Sequence, residues 1–352
     1  MLNIRRVLLL FITFNLFVFC MRGQVQPVNR SATMEARELL NFMDRISGRY
    51  ILSGQHNYPH QISIFSDSVK TITGKSPVIW GSDFSFHERA VNNRQNIINE
   101  AIEMHRKGHI ITMMYHQVRP MDDEPDGWKE SVQNEVTDQQ WEDLLTPGTE
   151  VHQKWLDKID TVAWYLKQLQ EENIPVLWRP YHEMNGKWFW WGGKEDFEKL
   201  WIMMYDRYVQ HHHLDNLVWV WNANAPRIKP NDNAMAYENY FPGLEYVDIL
   251  AADVYHNDYK QSHHDQLLEM AEGKPIALGE CGQAPTPSIL DEQDQWAWYM
   301  IWTSWLWTAN EREDIIELYN DPRVVTLDEI GELWKKVMGP DQQPGLLVGE
   351  QL

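Results

Sequence analysis

The chain has only two cysteines in 352 residues. One of them, Cys20, closes an apolar run near the amino terminus, so a processed chain holds Cys281 alone and no intrachain disulfide. Stability has to come from a packed core, and the 43% hydrophobic content supplies enough material for one. Cys281 has no cysteine–histidine pattern around it and reads as a small core residue rather than a nucleophile. Positive charge is also scarce: 31 Lys and Arg stand against 51 Asp and Glu, a formal net charge of -20. Such a surface repels nucleic acid and anionic membranes and suits a neutral partner. HExxH-type zinc spacing and glycine-rich phosphate loops are missing, and no cofactor or metal is indicated. The HHH triplet at 211–213 reads as a solvated helix end, where successive side chains diverge.

No apolar run spans a bilayer comfortably. Residues 1–23 carry Arg5 and Arg6 and then the apolar stretch Val7 to Cys20, the form of an export signal. The expectation is an exported protein, secreted, periplasmic or at the cell surface. It would touch a membrane only if lipid-anchored through Cys20, which the bulky Phe19 disfavours. A catalytic domain is expected over 31–340, followed by a short polar tail, 341–352.

What the chain has in excess is tryptophan, eighteen residues. Its broad face and single N–H suit stacking on the C–H faces of sugar rings. Four of them crowd the stretch WRPYHEMNGKWFWWG (178–192) around Glu183. Trp190 and Trp191 are open between rim packing and sugar platforms. Trp219 and Trp221 alternate within a strand and read as packing.

Eight β-rich runs alternate with helical patterns: 49–54, 77–83, 109–116, 174–183, 216–222, 247–255, 275–281 and 298–302. Several are continuously apolar, as strands buried on both faces should be. The segments 91–108 and 155–173 repeat apolar residues at helical spacing, and Gly108 and Gly273 stand where helices should stop. This alternation predicts a single α/β domain, a (β/α)8 TIM barrel, whose active residues cluster at the carboxyl ends of the strands. His56, Asp83, His116, Glu183, Asn222, Tyr255 and Glu280 interrupt the apolar runs at those ends. The long connection 117–150, with Trp128 and a short helix at TDQQWEDLL, is expected to wall one end of the cleft.

Glu183 and Glu280 close the fourth and seventh predicted strands, which face each other across a barrel mouth. Two facing carboxylates are what glycoside hydrolysis needs. Among aromatics, desolvation favours a protonated Glu183, a proton donor. Donors such as Tyr255 would hold Glu280 ionised, as a nucleophile requires. Arg179 is expected to be structural and to tune Glu280.

The block from PGTEVHQKW to GKWFWWGG resembles glycoside hydrolase family 26, whose typical members are β-mannanases. SGQH (53–56), MMYHQ (113–117), DVYH (253–256) and ALGECG (277–282) follow in the family's order, and the similarity runs from about residue 35 to 338. The resemblance implies a (β/α)8 barrel and a retaining mannan endo-1,4-β-mannosidase without cofactor, acting on β-mannan polysaccharide or oligosaccharide. It implies Glu183 as acid/base and Glu280 as nucleophile. For substrate binding it implies His116, His182, Trp188 beside the scissile bond, Tyr255 holding the nucleophile, and Trp302 or Trp305 flooring the adjacent subsite. Tyr115 stands where many relatives carry tryptophan, which leaves one subsite unassigned. Mixed-linkage β-glucan or β-1,3-xylan remains open as substrate, as does a mannan-binding protein without turnover, although retention of both glutamates argues against the last.

Overall fold

The structure, a computed structural model, describes residues 25–230 and 232–339. The expected export signal with Cys20 and the tail 341–352 lie outside the described residues. Eight strands follow in order: β1 (Ile51–His56), β2 (Ile79–Asp83), β3 (Ile110–Tyr115), β4 (Val176–Pro180), β5 (Leu217–Asn224), β6 (Ile249–Val254), β7 (Ile276–Cys281) and β8 (Trp296–Ile301). Each is parallel to its neighbours, and β1 pairs with both β8 and β2, which closes the sheet into a barrel. A two-residue strand, β9 (Val324–Val325), adds to the start of β1. All eight expected strands are present, within three residues of the predicted ends.

The continuous apolar runs divide by alternation. Ile79, Ile110, Leu177, Val218 and Val220 belong to an inner cluster, whereas Trp80, Ile111, Trp178, Trp219 and Trp221 belong to an outer one beneath the helices. Both faces are dry, so neither set is polar. The helices Arg94–Arg106 and Glu150–Glu171 cover the outer face where helical spacing places them, and they pack on each other. Thr149 starts the longer one by accepting from the His152 N–H. Gly108 and Gly273 take φ of 97° and 94° after helices, as expected of helix stops.

Tryptophan abundance has a different cause from sugar stacking. Eleven of the eighteen are fully buried, most of them between barrel and helices. Trp190 and Trp191 are among them, and their indole N–H groups donate to the Gln117 and His182 carbonyls at 2.8 Å. They are rim packing, and neither lines the hollow that holds Glu183 and Glu280. An indole burying roughly 200 Å² contributes about 5 kcal/mol of transfer free energy at most, much of it offset by lost chain entropy.

The amino-terminal end of the barrel is plugged. Helix Met34–Ile46 sends Leu39, Phe42 and Met43 into the inner cluster with Leu52, Val218 and Trp298. Phe42 also stacks on Trp334 of helix Leu327–Met338, ring centres 4.5 Å apart. The carboxyl-terminal rim is left as the open face.

Candidate active site

The fourth strand ends earlier than its apolar run suggests. Pro180 has no N–H to continue the ladder, so β4 stops there and Glu183 lies three residues beyond it. Tyr181 and Glu183 take φ of 48° and 55°, a costly region for residues with a Cβ. The turn is held by the Glu183 N–H, which donates to the Asn222 carbonyl of β5 at 2.8 Å. It lifts the Glu183 carboxyl over the barrel mouth instead of leaving it in a strand plane.

Glu280 is the penultimate residue of β7, and each of its oxygens accepts one bond. Arg179 Nη2 donates to Oε1 at 2.5 Å, and the Tyr255 hydroxyl donates to Oε2 at 2.7 Å. Arg179 Nε is itself fixed by Asn222 Oδ1 at 2.8 Å. Gly279 makes that possible: a Cβ there would sit 1.8 Å from Asn222 Oδ1. The expected link between Arg179 and Glu280 is thus a direct ion pair, buried on both sides.

Glu183 has other surroundings. Trp188 Nε1 donates to its Oε2 at 2.6 Å, and Asn224 Nδ2 donates to its Oε1. Burial, followed by the nearby charge of Glu280, pushes its carboxyl up to about 7; the Trp188 and Asn224 bonds and the Arg227 cation act the other way. One oxygen each from Glu183, Glu280 and Asp253 lie within 4.8 Å of one another. Asp253, in β6, is fully buried, and burial with the charge of Glu280 holds its carboxyl well above the ordinary carboxylate range. This trio is the one group of potential metal-ligating side chains that converges among the described residues. Arg179 already places a guanidinium against Glu280, which opposes a cation there.

His116 follows β3, and its Nδ1 bonds Asp83 Oδ2 at 2.8 Å. Burial alone would raise the Asp83 carboxyl, but the charge and bonds of His116 hold it below its ordinary value. That carboxylate orients the imidazole, so Nε2 is its remaining polar atom. His182 packs edge-on to His116 at 4.6 Å, with Nε2 4.0 Å from Glu280 Oε1. Burial, with His116 and Arg179 nearby, keeps it neutral, its pKa well below the usual imidazole value. Trp302 stacks on His56 at 4.1 Å, and Trp305 meets Tyr255 edge-on at 5.2 Å. All eight site residues expected from sequence therefore line one hollow of about 370 Å³, with Glu183 and Glu280 in its wall. A second hollow of about 300 Å³ adjoins it through His116, Trp128 and Trp302 and runs toward the loops after β1 and β2.

The long connection after β3 does wall the cleft: Trp128 lines both hollows and packs on His116 and Phe189. Tyr115 points the other way. Its hydroxyl donates to Glu124 and Arg94 lies over its ring, so it fastens the connection and does not line the hollow that holds Glu183 and Glu280. Cys281 is buried, and burial pushes its thiol up to about 12, which fits a core residue. His212 bonds Asp160 at 2.7 Å beside Arg207, so the histidine triplet is a tied helix end. Asn224, Arg227 and Asp253 join the site without being among the residues expected from sequence. For Asn224 a signal exists, its alternation with Asn222 along one strand end.

A closed parallel barrel that brings two glutamates together at the ends of its fourth and seventh strands, in an aromatic-walled cleft, is the architecture of a (β/α)8 glycoside hydrolase. The model of glycosyl hydrolase family 26 matches residues 28–329. The chain belongs to that family. It is 32% identical over 322 residues to a mannan endo-1,4-beta-mannosidase of Thermothelomyces thermophilus, covering 86% of this chain and 62% of that one. Mannan endo-1,4-beta-mannosidase A of a Piromyces species is 30% identical over 326 residues, 86% of this chain and 50% of that enzyme. The chain thus spans between about half and two-thirds of these curated relatives. Among solved structures, GH26A of a Muricauda species superposes with a TM-score of 0.83 at 50% identity, covering 86% of this chain and 99% of that one. A beta-mannanase from a symbiotic protist of the termite Reticulitermes speratus, complexed with gluco-manno-oligosaccharide, gives 0.75 at 26% identity, 86% of this chain and 97% of that one.

Proposed function

We propose that this chain hydrolyses β-1,4-mannosidic linkages in mannan, glucomannan or galactomannan with retention of configuration. Glu183 is the acid/base and Glu280 the nucleophile. The observation that carries the reading is the pair's spacing and contrast. Their nearest oxygens are within 4.8 Å. That suits the roughly 5–5.5 Å carboxyl separation of retaining enzymes and is too short for the roughly 6.5–9.5 Å of inverting ones. The mannanase names of the relatives and the oligosaccharide bound to one of them support the substrate class.

In the first step Glu280 attacks the anomeric carbon while Glu183 gives its proton to the departing glycosidic oxygen. The C–O bond breaks, and a glycosyl ester forms on Glu280. Glu183, now a carboxylate, takes a proton from water, whose oxygen attacks the same carbon and frees Glu280. The glutamate returns to its protonated form. Arg179 and Tyr255 aim the two lone-pair faces of Glu280 and accept its change of charge. His116, His182 and Trp188 border the scissile position, and Trp302 or Trp305 floors the adjacent subsite; all of them line the same hollow. Export through residues 1–23 belongs to the same proposal, because a polymer must be met outside the cell.

The test is product release from linear mannan, galactomannan and barley-type β-glucan, with products sized over time. Mixed manno-oligosaccharides appearing early support the reading; release only from the glucan would overturn the substrate. Glu183→Ala and Glu280→Ala should each abolish turnover and keep polysaccharide affinity. Azide should restore turnover to Glu183→Ala on an activated aryl mannoside, yielding a β-glycosyl azide.

A further inference from the structure

We propose that Arg227 is a positioning residue for the acid/base carboxylate, holding both side chains that donate to the oxygens of Glu183. This inference rests on the hydrolase reading above and goes beyond it. Arg227 lies in the connection after β5 and is largely buried, its backbone paired with Ala234 in both directions at 3.0 and 2.9 Å. Asp232 takes one side of its fork, with Nε to Oδ2 at 2.9 Å and Nη2 to Oδ1 at 2.5 Å. The other side serves the site. Nη1 donates to Asn224 Oδ1, and Asn224 Nδ2 donates onward to Glu183 Oε1. A guanidinium has no acceptor, so it forces the amide oxygen toward itself and the amide N–H groups toward the glutamate. The face of the same guanidinium lies over Trp188, 5.4 Å from the ring centre, and Trp188 donates to Glu183 Oε2. One cation therefore touches both donors that set the plane of this carboxyl.

The electrostatics agree. Glu183 is faced by Glu280 from β7, by Asp253 from β6, by Tyr255 just after that strand, and by Arg227, with neutral His182 preceding it on the same turn. Asp232 stands behind Arg227, with His256 Nε2 3.3 Å from its Oδ2. The influences that oppose burial at Glu183 are Trp188, Asn224 and Arg227. Two of them are fixed by the third. Without Arg227, Glu183 keeps its proton to higher pH but presents it in a looser geometry.

An arginine that only anchors its loop to Asp232 would give a different result, and leaving-group dependence separates the two. Wild type, Arg227→Met and Arg227→Lys are compared by kcat/KM against pH on mannotetraose, whose departing sugar needs a proton. The same series is run on dinitrophenyl β-mannobioside, whose departing phenolate does not. Arg227→Met should lose roughly ten- to hundredfold on the tetraose and at least about tenfold less on the aryl substrate. Its alkaline limb should move up in pH, and Arg227→Lys, which keeps the charge, should move it less. Asn224→Ala should show the same leaving-group bias. The double variant with Arg227→Met should lose little more than the worse single, because the arginine acts through the amide. Equal losses on both substrates with the limb unmoved would overturn the proposal, and Asn224→Ala provides the same discrimination even if Arg227→Met does not fold. Should the wild type cleave only glucan, the substrate is wrong, and the matched glucan pair reads the arginine in the same way. Wild-type turnover on neither polymer would sink the hydrolase reading and this inference together.

Discussion

Arg179 and Glu280 reach from β4 and β7 across the barrel mouth and meet at 2.5 Å between Nη2 and Oε1, with Asn222 fixing the arginine from β5. Three strands thereby share one buried charge pair, and it sits where a second carboxylate, Glu183, lies within 4.8 Å. The guanidinium makes that crowding of acids tolerable.

Arg179→Met removes the positive partner and leaves Glu280 buried beside two other acids. Breaking one side of a buried pair costs about 3–5 kcal/mol. The expected outcome is an unfolding free energy lower by about that much and turnover reduced by about a hundredfold or more. Chemical denaturation and steady-state kinetics check the two halves.

Tyr255→Phe deletes one bond to Glu280 at almost constant volume. A hydrogen bond to a charged group contributes about 1.5–3 kcal/mol, so kcat/KM should fall roughly ten- to hundredfold with the melting temperature nearly unchanged. A loss in KM alone would contradict the proposed role of Glu280 as nucleophile.

The alkaline limb of activity should fall near pH 7, because Glu183 is raised to about 7 from an ordinary value of 4.5. The same shift has a consequence for stability. The folded state holds this proton more tightly than the unfolded one, so its stabilising effect is full below the unfolded pKa and is lost as pH rises through the folded one. Glu183→Gln cannot ionise. Between pH 4 and pH 8 the gap in unfolding free energy should shift in the variant's favour by about 3 kcal/mol. Denaturation curves at the two pH values measure it, and a gap that did not move would refute the raised pKa.

Gly279→Ala places a Cβ 1.8 Å from Asn222 Oδ1. Asn222 must move, and it releases Arg179 Nε when it does. Overpacking of this kind costs about 1–3 kcal/mol, and activity should fall further than stability alone accounts for. A variant as active as the wild type would show that Asn222 does not govern the pair.

Much of the fold was legible because both faces of each strand are buried. Continuous runs such as ILAAD and LVWVW carry that signal without reference to their neighbours, and Gly108 and Gly273 mark helix ends through local backbone chemistry alone. Glu183 and Glu280 stood out for a related reason: each is an acid interrupting an apolar run, and the barrel brings the two together. The tryptophans were legible only in part. A buried indole and an indole lining a cleft have the same local sequence, and only packing separates Trp191 from Trp188. Tyr115 was left unassigned by the sequence, and its contacts with Glu124 and Arg94 come from segments that no local pattern connects to it.

By itself the sequence determined the strand and helix order, the strand-end residues and the pairing of two glutamates, because these follow from hydrophobic period and chain order. Only tertiary structure decided their surroundings. Arg179 finding Glu280 a hundred and one residues away, the Asn224 amide turned by Arg227, and the turn that lifts Glu183 above its strand are all contacts between distant segments. Carboxyl separation and desolvation are properties of that assembled space, and no local pattern encodes a distance across a barrel.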